Sequence, residues 1–479
     1  MVAQSAVGAG GFAGGLLFDF VPRREVIVQR HDGQLTSDAG LLPVRQFDEQ
    51  WGYTRRLAAC VEGDDARLDP EHPVPEMVCQ RLYGILADYE DCNDHDDLRD
   101  DPVFKLVSGR LPGDGPLASQ PTLCRFENAV TIPALYRLTD FLVETGVERL
   151  RARHGGAVPA RVTLDLDATD DPAHGHQQGV LFHGYYAQHQ YLPLVVSEPT
   201  TRHVFSAWLR HGTAHAALGA EDDLARVVAA LRRERPGVRV HVRGDSAFGI
   251  PRMYAACEDD AVSYTFGLAT NARLRRLAQP LVDRAAAEYA RTGEKQRLFA
   301  SFLYKADGWD CERTVVAKAE CHAGGTNLRF VVTDEPAFFP DEPAAEGAQR
   351  VYDEYVQRGE SEHRMDELKN GLAAGRLSCH RFVANFWRLI LHASAYNLLN
   401  ALRDHPDVPR ELQVAQPQTW RSRVIKAAAE VVQTTRRVVI RLAAQWPHWD
   451  LYQAVARSVA ARISHPPAAS PRSPHVPPS

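Results

Sequence analysis

The sequence has little of what would mark a disulfide-stapled, zinc-ribbon or membrane protein. Its eight cysteines (Cys60, Cys79, Cys92, Cys124, Cys257, Cys311, Cys321 and Cys379) show no Cys-x-x-Cys spacing and no dense cluster, which argues against both a zinc ribbon and a disulfide framework. They are expected to be reduced and structural. The first fifteen residues are small and apolar but lack the basic residues that open a secretory signal, and no run approaches membrane-spanning length. A soluble, cytoplasmic protein is therefore expected. An overall positive charge is also missing, since the formal net charge is −6. The total hides an uneven distribution: acids crowd residues 60–101, whereas arginine dominates from Arg410 onward. Regional charge carries more information here than the sum.

With 479 residues and 44% hydrophobic content, the chain is long enough for one large core with satellite modules, in two or three structural units. The stretch Arg161-Val-Thr-Leu-Asp-Leu-Asp-Ala-Thr-Asp-Asp171 organises the rest. Read as a strand, it puts Val162, Leu164, Leu166 and Ala168 on one face and Asp165, Asp167 and Thr169 on the other. Aligned acids on a core strand repel and are costly to desolvate unless a cation neutralises them, and hard oxygen donors suit Mg²⁺ or Mn²⁺. A calcium or structural turn, or acids fanning into solvent, is the competing reading of this stretch alone. Strand-like runs at Val180–Ala187, Tyr191–Val196 and His203–Arg210 follow, then a helix near Glu221–Glu234. Next comes Val238-Arg-Val-His-Val-Arg-Gly-Asp-Ser246, whose valines alternate to one face and leave Asp245 at the strand end. This order of elements is that of a ribonuclease-H-like mixed sheet in an α/β protein. Two readings of the acid stand at this point: a functional group at a strand end, or part of a simple Gly-Asp-Ser turn.

From Leu298 to Asp334, β-branched and aromatic runs separated by Gly and Asp read as a β-rich insertion. Trp309, in Asp307-Gly-Trp-Asp310, falls at a turn, where it either stacks on a nucleobase or fills the insertion core. The segment Tyr355-Val-Gln-Arg-Gly-Glu-Ser-Glu-His-Arg-Met-Asp-Glu-Leu-Lys369 is the most informative. On one α-helix, Tyr355, Arg358, Glu362 and Lys369 share an arc of about 60° and Glu360 points away. A helix after it, through Trp387 and Tyr396 to Leu402, reads as core. Arg421, Arg423, Lys426, Arg436, Arg437 and Arg441 then read as a basic helical stretch suited to phosphate binding or subunit contacts.

The Tyr-x2-Arg-x3-Glu-x6-Lys spacing of Tyr355, Arg358, Glu362 and Lys369 resembles the signature of one branch of the DDE transposases of bacterial insertion sequences. Asp167-Ala-Thr169 resembles the first catalytic motif of that family and Arg243-Gly-Asp-Ser246 the second. The likeness extends from Leu35-Thr-Ser-Asp-Ala-Gly-Leu-Leu42 into the arginine-rich part. It implies Asp167, Asp245 and Glu362 as catalytic metal ligands, with Asp165 as an alternative donor, and two Mg²⁺ or Mn²⁺ ions per site. It also implies double-stranded DNA as partner, both transposon ends and target, a homodimer in the synaptic complex, and a bacterial, nucleoid-associated setting. Tyr355, Arg358 and Lys369 would contact the DNA backbone, and Trp309 and the C-terminal basic residues would add to binding.

On this reading the chain divides into a flexible stretch (1–24), a helical DNA-binding region (25–155), a catalytic core (156–292 and 346–405) interrupted by the insertion (293–345), a basic helical region (406–465) and a disordered tail (466–479). Two rivals compete. Asp165-Leu-Asp-Ala-Thr169 also fits the Asp-x-Asp-x-Thr motif of haloacid-dehalogenase-type phosphatases, with Asp165 as nucleophile and Asp167 as acid/base. That reading leaves the Tyr355–Lys369 segment unexplained and expects a second acid soon after Asp245, where Ser246 to Gly249 offers none. The other rival is an inactive DNA-binding relative whose acids are structural.

Overall fold

The structure, a computed structural model, describes residues 16–18, 20–173, 175–335 and 344–460. The expected tail (466–479) and most of the expected flexible start (1–24) lie outside the described residues. In chain order the strands are β1 (Leu16–Phe18), β2 (Val26–Val28), β3 (Gln34–Thr36), β4 (Arg161–Ala168), β5 (Asp171–Pro172), β6 (Leu181–His183), β7 (Gln188–Tyr191), β8 (Leu194–Glu198), β9 (His203–Trp208), β10 (Arg239–Gly244), β11 (Ser263–Leu268), β12 (Gln296–Tyr304), β13 (Arg313–His322), β14 (Gly325–Thr333), β15 (Ala429–Gln433) and β16 (Val438–Leu442). Among the described residues all eight cysteines are free, and no helix is long and apolar enough to cross a membrane.

The alternation along β4 buries Val162, Leu164 and Leu166 and makes it a central strand. An eight-stranded mixed sheet forms in the order β12-β13-β14-β11-β10-β4-β8-β9. Strands β4, β8 and β9 are antiparallel neighbours. The helix Ala220–Glu234 then crosses over to β10, which is parallel to β4, and the helix Pro251–Asp259 leads to β11, parallel to β10. Parallel neighbours need such crossovers, and this connectivity is the ribonuclease-H-like one.

The region between the second and third acids is β-rich and continuous with the central sheet. Strand β14 pairs antiparallel with β11, from Thr265↔Thr333 to Leu268↔Phe330, so β12 to β14 extend the central sheet. An unpaired β11 edge would expose a row of backbone donors and acceptors, and β14 satisfies them. Trp309 follows the same logic. It is 7% exposed, with its ring 5.2 Å from Tyr254 and 5.6 Å from Tyr304 and the Arg313 guanidinium 5.7 Å from its centre. Its ring area is worth more buried between two tyrosines than facing water, so of its two expected roles the core one fits and the base-stacking one does not.

Residues 41–153 fold into seven helices. The expected continuous helix at Leu41–Ala58 is two, Leu41–Trp51 and Tyr53–Glu62, divided where Gly52 takes a left-handed φ of 70°. The helix Phe382–Arg403 is buried almost throughout, including Trp387 and Tyr396, and joins the N-terminal helices to the sheet. Asn397 accepts from the Val204 N–H at 2.8 Å and donates to its carbonyl at 2.8 Å, so one side-chain amide covers part of the β9 edge. The expected basic helix after Arg410 is also corrected. Its centre is the hairpin β15–β16, with β15 pairing β3, since Val431, Val432 and Val438 to Ile440 are β-branched and suit a pleated surface.

Fully buried Glu127 binds the helical part together. It accepts from Arg81 Nε at 2.7 Å and from Arg388 Nε at 2.7 Å. Burial opposes its ionisation, but Arg81 and Arg388 prevail and hold its pKa down at about 2. Glu127→Gln leaves two buried guanidiniums short of a counter-charge, and a loss of about 3–5 kcal/mol in urea unfolding at pH 7 is expected. A depressed carboxyl stabilises above its unfolded pKa, near 4, and loses that contribution as pH falls through about 2. The difference between wild type and variant should therefore shrink over that interval.

Candidate active site

Strand register brings the first two candidate acids together. In the parallel pair, Arg243 on β10 is opposite Asp165 on β4. Two residues further along each chain lie Asp245 and Asp167, and adjacent strands are about 4.8 Å apart. Asp167 is partly buried, with 16% of its side chain exposed. Burial raises its carboxyl pKa to about 6; Arg358 works against the rise and the charge of Asp245 adds to it. Asp245 Oδ1 accepts from the Ala247 N–H at 2.8 Å, which fixes the acid at the turn after β10.

The third station is built differently from the single helix expected. A helix at Ala344–Val356 carries Tyr355 and ends. A second runs Gly359–Asp366, and a π-helical turn follows at Glu367–Gly371. Gly359, a poor residue for a helix interior, instead opens the second helix. Arg358 and Glu362 keep their i,i+4 relation across the junction, with Arg358 Nη2 3.6 Å from Glu362 Oε1. The same guanidinium places Nη1 3.8 Å from Asp167 Oδ2. Arg358 thus lies between the first and third acids, and Glu362 keeps 72% of its side chain exposed. Tyr355 sits against β11 beside Asp245. A Cβ at Gly267 would fall 2.8 Å from the Tyr355 hydroxyl, so only glycine admits the ring there. Lys369 Nζ meets Asp170 Oδ1 at 3.1 Å.

Asp165, the alternative metal donor, has another role. It is fully buried and accepts from Arg243 Nε at 2.7 Å and Nη2 at 3.0 Å, and from Arg364 Nη2. Both oxygens are taken, so it is a positioning residue and not a free ligand. The phosphatase reading fails on the same ground, because its nucleophile would have to be Asp165. Arg364 and Ser361, whose hydroxyl donates to Asp167 Oδ2 at 3.2 Å, escaped the sequence reading. They lie on the helix face turned from solvent, which a search for an exposed functional face passes over.

Of the basic residues, Arg421 is also corrected. It is buried and donates to the Leu86 and Ile85 carbonyls at 3.0 Å each, capping a helix C-terminus with help from Asp88 at 2.7 Å. Lys426 pairs with Asp38 at 2.8 Å and covers the Tyr89 ring, and Arg423 pairs with Glu411 at 3.3 Å. Arg436 and Arg437 are exposed at the β15–β16 turn.

Among the described residues no three His, Cys, Asp or Glu side chains are gathered closely enough to hold an ion. The donor chemistry nevertheless fits a hard divalent cation: Asp167 is desolvated beside a second carboxylate, and both it and Glu362 are drawn to one positive group, Arg358. The mixed sheet thus carries two carboxylates at adjacent strand ends, with a third on a neighbouring helix. The chain belongs to the family described as transposase DDE domain group 1, whose model matches residues 18–464. No curated protein matches the chain. Among solved structures it is similar to the piggyBac transposase in a cryo-electron-microscopy synaptic complex with hairpin DNA, at 12% identity and a TM-score of 0.40, over 91% of this chain and 83% of that one.

Asp165 and Asp167 should respond oppositely to loss of charge. Asp165→Asn strands two arginines and should cost about 3–5 kcal/mol in chemical unfolding. Asp167→Asn should stabilise the chelator-treated protein above pH 6 by on the order of 2 kcal/mol. A raised carboxyl pKa means stability drains away as pH climbs from the ordinary range through about 6, and the asparagine variant should lack that slope.

Proposed function

We propose that the chain is a cut-and-paste DNA transposase of the Tyr-Arg-Glu-Lys signature branch, which binds the terminal inverted repeats of an insertion sequence, cleaves there and joins the ends to target DNA. Asp167, Asp245 and Glu362 are its catalytic acids. The observation that carries the reading is the adjacency of Asp167 and Asp245 on parallel strands, with Arg358 linking Asp167 to Glu362. Membership of the transposase family supports it.

The three carboxylates would hold two Mg²⁺ or Mn²⁺ ions, which would supply Lewis-acid stabilisation of the phosphate and activate a water or a DNA 3′-hydroxyl as nucleophile. The protein's own part is positioning. As Glu362 turns inward from its exposed rotamer, Arg358 is released from between the acids and becomes available to a DNA phosphate. Tyr355 orients Arg358 from the β11 side, with the guanidinium 6.0 Å from its ring centre. Lys369, held by Asp170, presents its charge on the same edge. Exposed Arg436 and Arg437 add sequence-independent phosphate contacts, and a homodimer would bring two ends together.

Glu362→Gln should abolish Mg²⁺-dependent cleavage of terminal-repeat DNA while binding in a gel-shift assay stays within about twofold. Glu360→Gln, outside this constellation, should retain cleavage; equal inactivity of the two would reject Glu362 as the third acid. Arg358→Ala should weaken binding, with a smaller dependence on salt than wild type because a phosphate contact is gone.

A further inference from the structure

Immediately beyond the acidic strand the chain leaves the central sheet and builds a small one of its own, in the order β5-β7-β6. Strand β5 starts at Asp171, three residues after β4 ends. Strands β6 and β7 form a hairpin closed at His183↔Gln188, so Gly184, Tyr185, Tyr186 and Ala187 make its tip. The tip is a shaped turn, with Ala187 at a φ of +53°, which residues other than glycine rarely adopt.

What it presents is unusual for a surface loop. Tyr185 is 86% exposed, Phe182 52%, Leu181 45% and Tyr186 38%. The two tyrosine rings lie 5.0 Å apart, nearly perpendicular, and the His183 ring lies 5.0 Å from Tyr186, tilted by 59°. A hydrophobic core would claim such side chains if one were in reach, and a contiguous aromatic patch left in water marks a binding surface.

The hairpin is also tied to the acids. Gln188 Nε2 donates to Asp170 Oδ2 at 3.0 Å, and Lys369 reaches the other oxygen of that carboxylate at 3.1 Å. Tyr186 is close enough to feel the site: burial raises its phenol pKa, and the charges of Asp170, Asp245 and Asp167 add to the rise. An aromatic tip is thus anchored through one aspartate to a signature lysine beside the candidate acids.

We propose that the β6–β7 hairpin is a base-stacking element, in which Tyr185 and Tyr186 hold unpaired or unstacked nucleobases at the DNA end next to the scissile phosphate. This rests on the transposase reading above. The occupant follows from the chemistry of the surroundings. A phosphate drawn to Lys369, which shares Asp170 with Gln188 of the hairpin, brings its bases near the tip, and any base offers a π-face to an exposed tyrosine ring. The tyrosines are positioning residues, since no reacting atom is assigned to them.

The test uses the full-length protein and a duplex carrying the inverted repeat that flanks its gene, closed as a hairpin, with 2-aminopurine as the terminal base. Wild type and Tyr185→Phe/Tyr186→Phe should cut the probe and change the 2-aminopurine fluorescence on binding. Tyr185→Ala/Tyr186→Ala should raise KM for cutting by about fivefold or more, lose the fluorescence change and keep the wild-type melting temperature. An alanine variant equal to wild type in KM and fluorescence overturns the stacking role while leaving the transposase reading intact. Loss of self-association with an unchanged fluorescence response also overturns it, assigning the tip to a second copy of the chain. A wild-type protein that neither binds nor cuts the probe overturns both readings together.

Discussion

Three buried charges hold the candidate site in register: Asp165 on β4, Arg243 on β10 and Arg364 on the helix Gly359–Asp366. Each stands two residues from one of the three candidate catalytic acids, Asp167, Asp245 and Glu362. Two of the elements are neighbouring strands, where a spacing of two keeps a residue on the same face. The pairing beneath therefore sets the spacing above. An unpaired charge at that depth would be expensive, so the arrangement tolerates little sliding of β10 past β4 or of the helix over both. Arg243 extends the constraint to the preceding helix through the Glu354 carbonyl at 2.7 Å.

Above this layer the electrostatics are poised the other way. Asp167 is desolvated beside Asp245 without full compensation, and its pKa rises to about 6, whereas Asp165 is saturated by arginines. Two aspartates two residues apart on one strand face thus do opposite work. The lower one is used up in holding the structure together. The upper one is left with unspent affinity for a cation, which Arg358 meets only in part at 3.8 Å. Perturbed carboxylates of this kind concentrate at functional sites.

Much of the arrangement was legible before folding. Alternation along β4 and β10, the strand–strand–strand–helix–strand order and the Tyr-Arg-Glu-Lys spacing all depend on local periodicity, which a sequence carries in plain form. Periodicity also misled where a chain changes its geometry without changing its composition. The segment Tyr355–Lys369 reads as one helix, yet it breaks before Gly359 and loosens into a π-turn after Asp366. The basic stretch after Arg421 reads as a helix because arginine is compatible with one, but its valines form strands that pair with β3.

The sequence by itself determined which residues are apolar and at what intervals, and hence the elements, the faces they bury and the candidate acids. Only the tertiary structure decided how those residues are employed. Asp165 became a positioning residue because two arginines distant in sequence converge on it. Trp309 became core because Tyr254 and Tyr304 close over it, and Arg421 a helix cap because the Ile85 and Leu86 carbonyls lie at a helix end, beyond the regular backbone ladder, within its reach. In each case the outcome depends on long-range partners and on the cost of burying an unpaired polar group, neither of which is encoded in a residue's immediate neighbours.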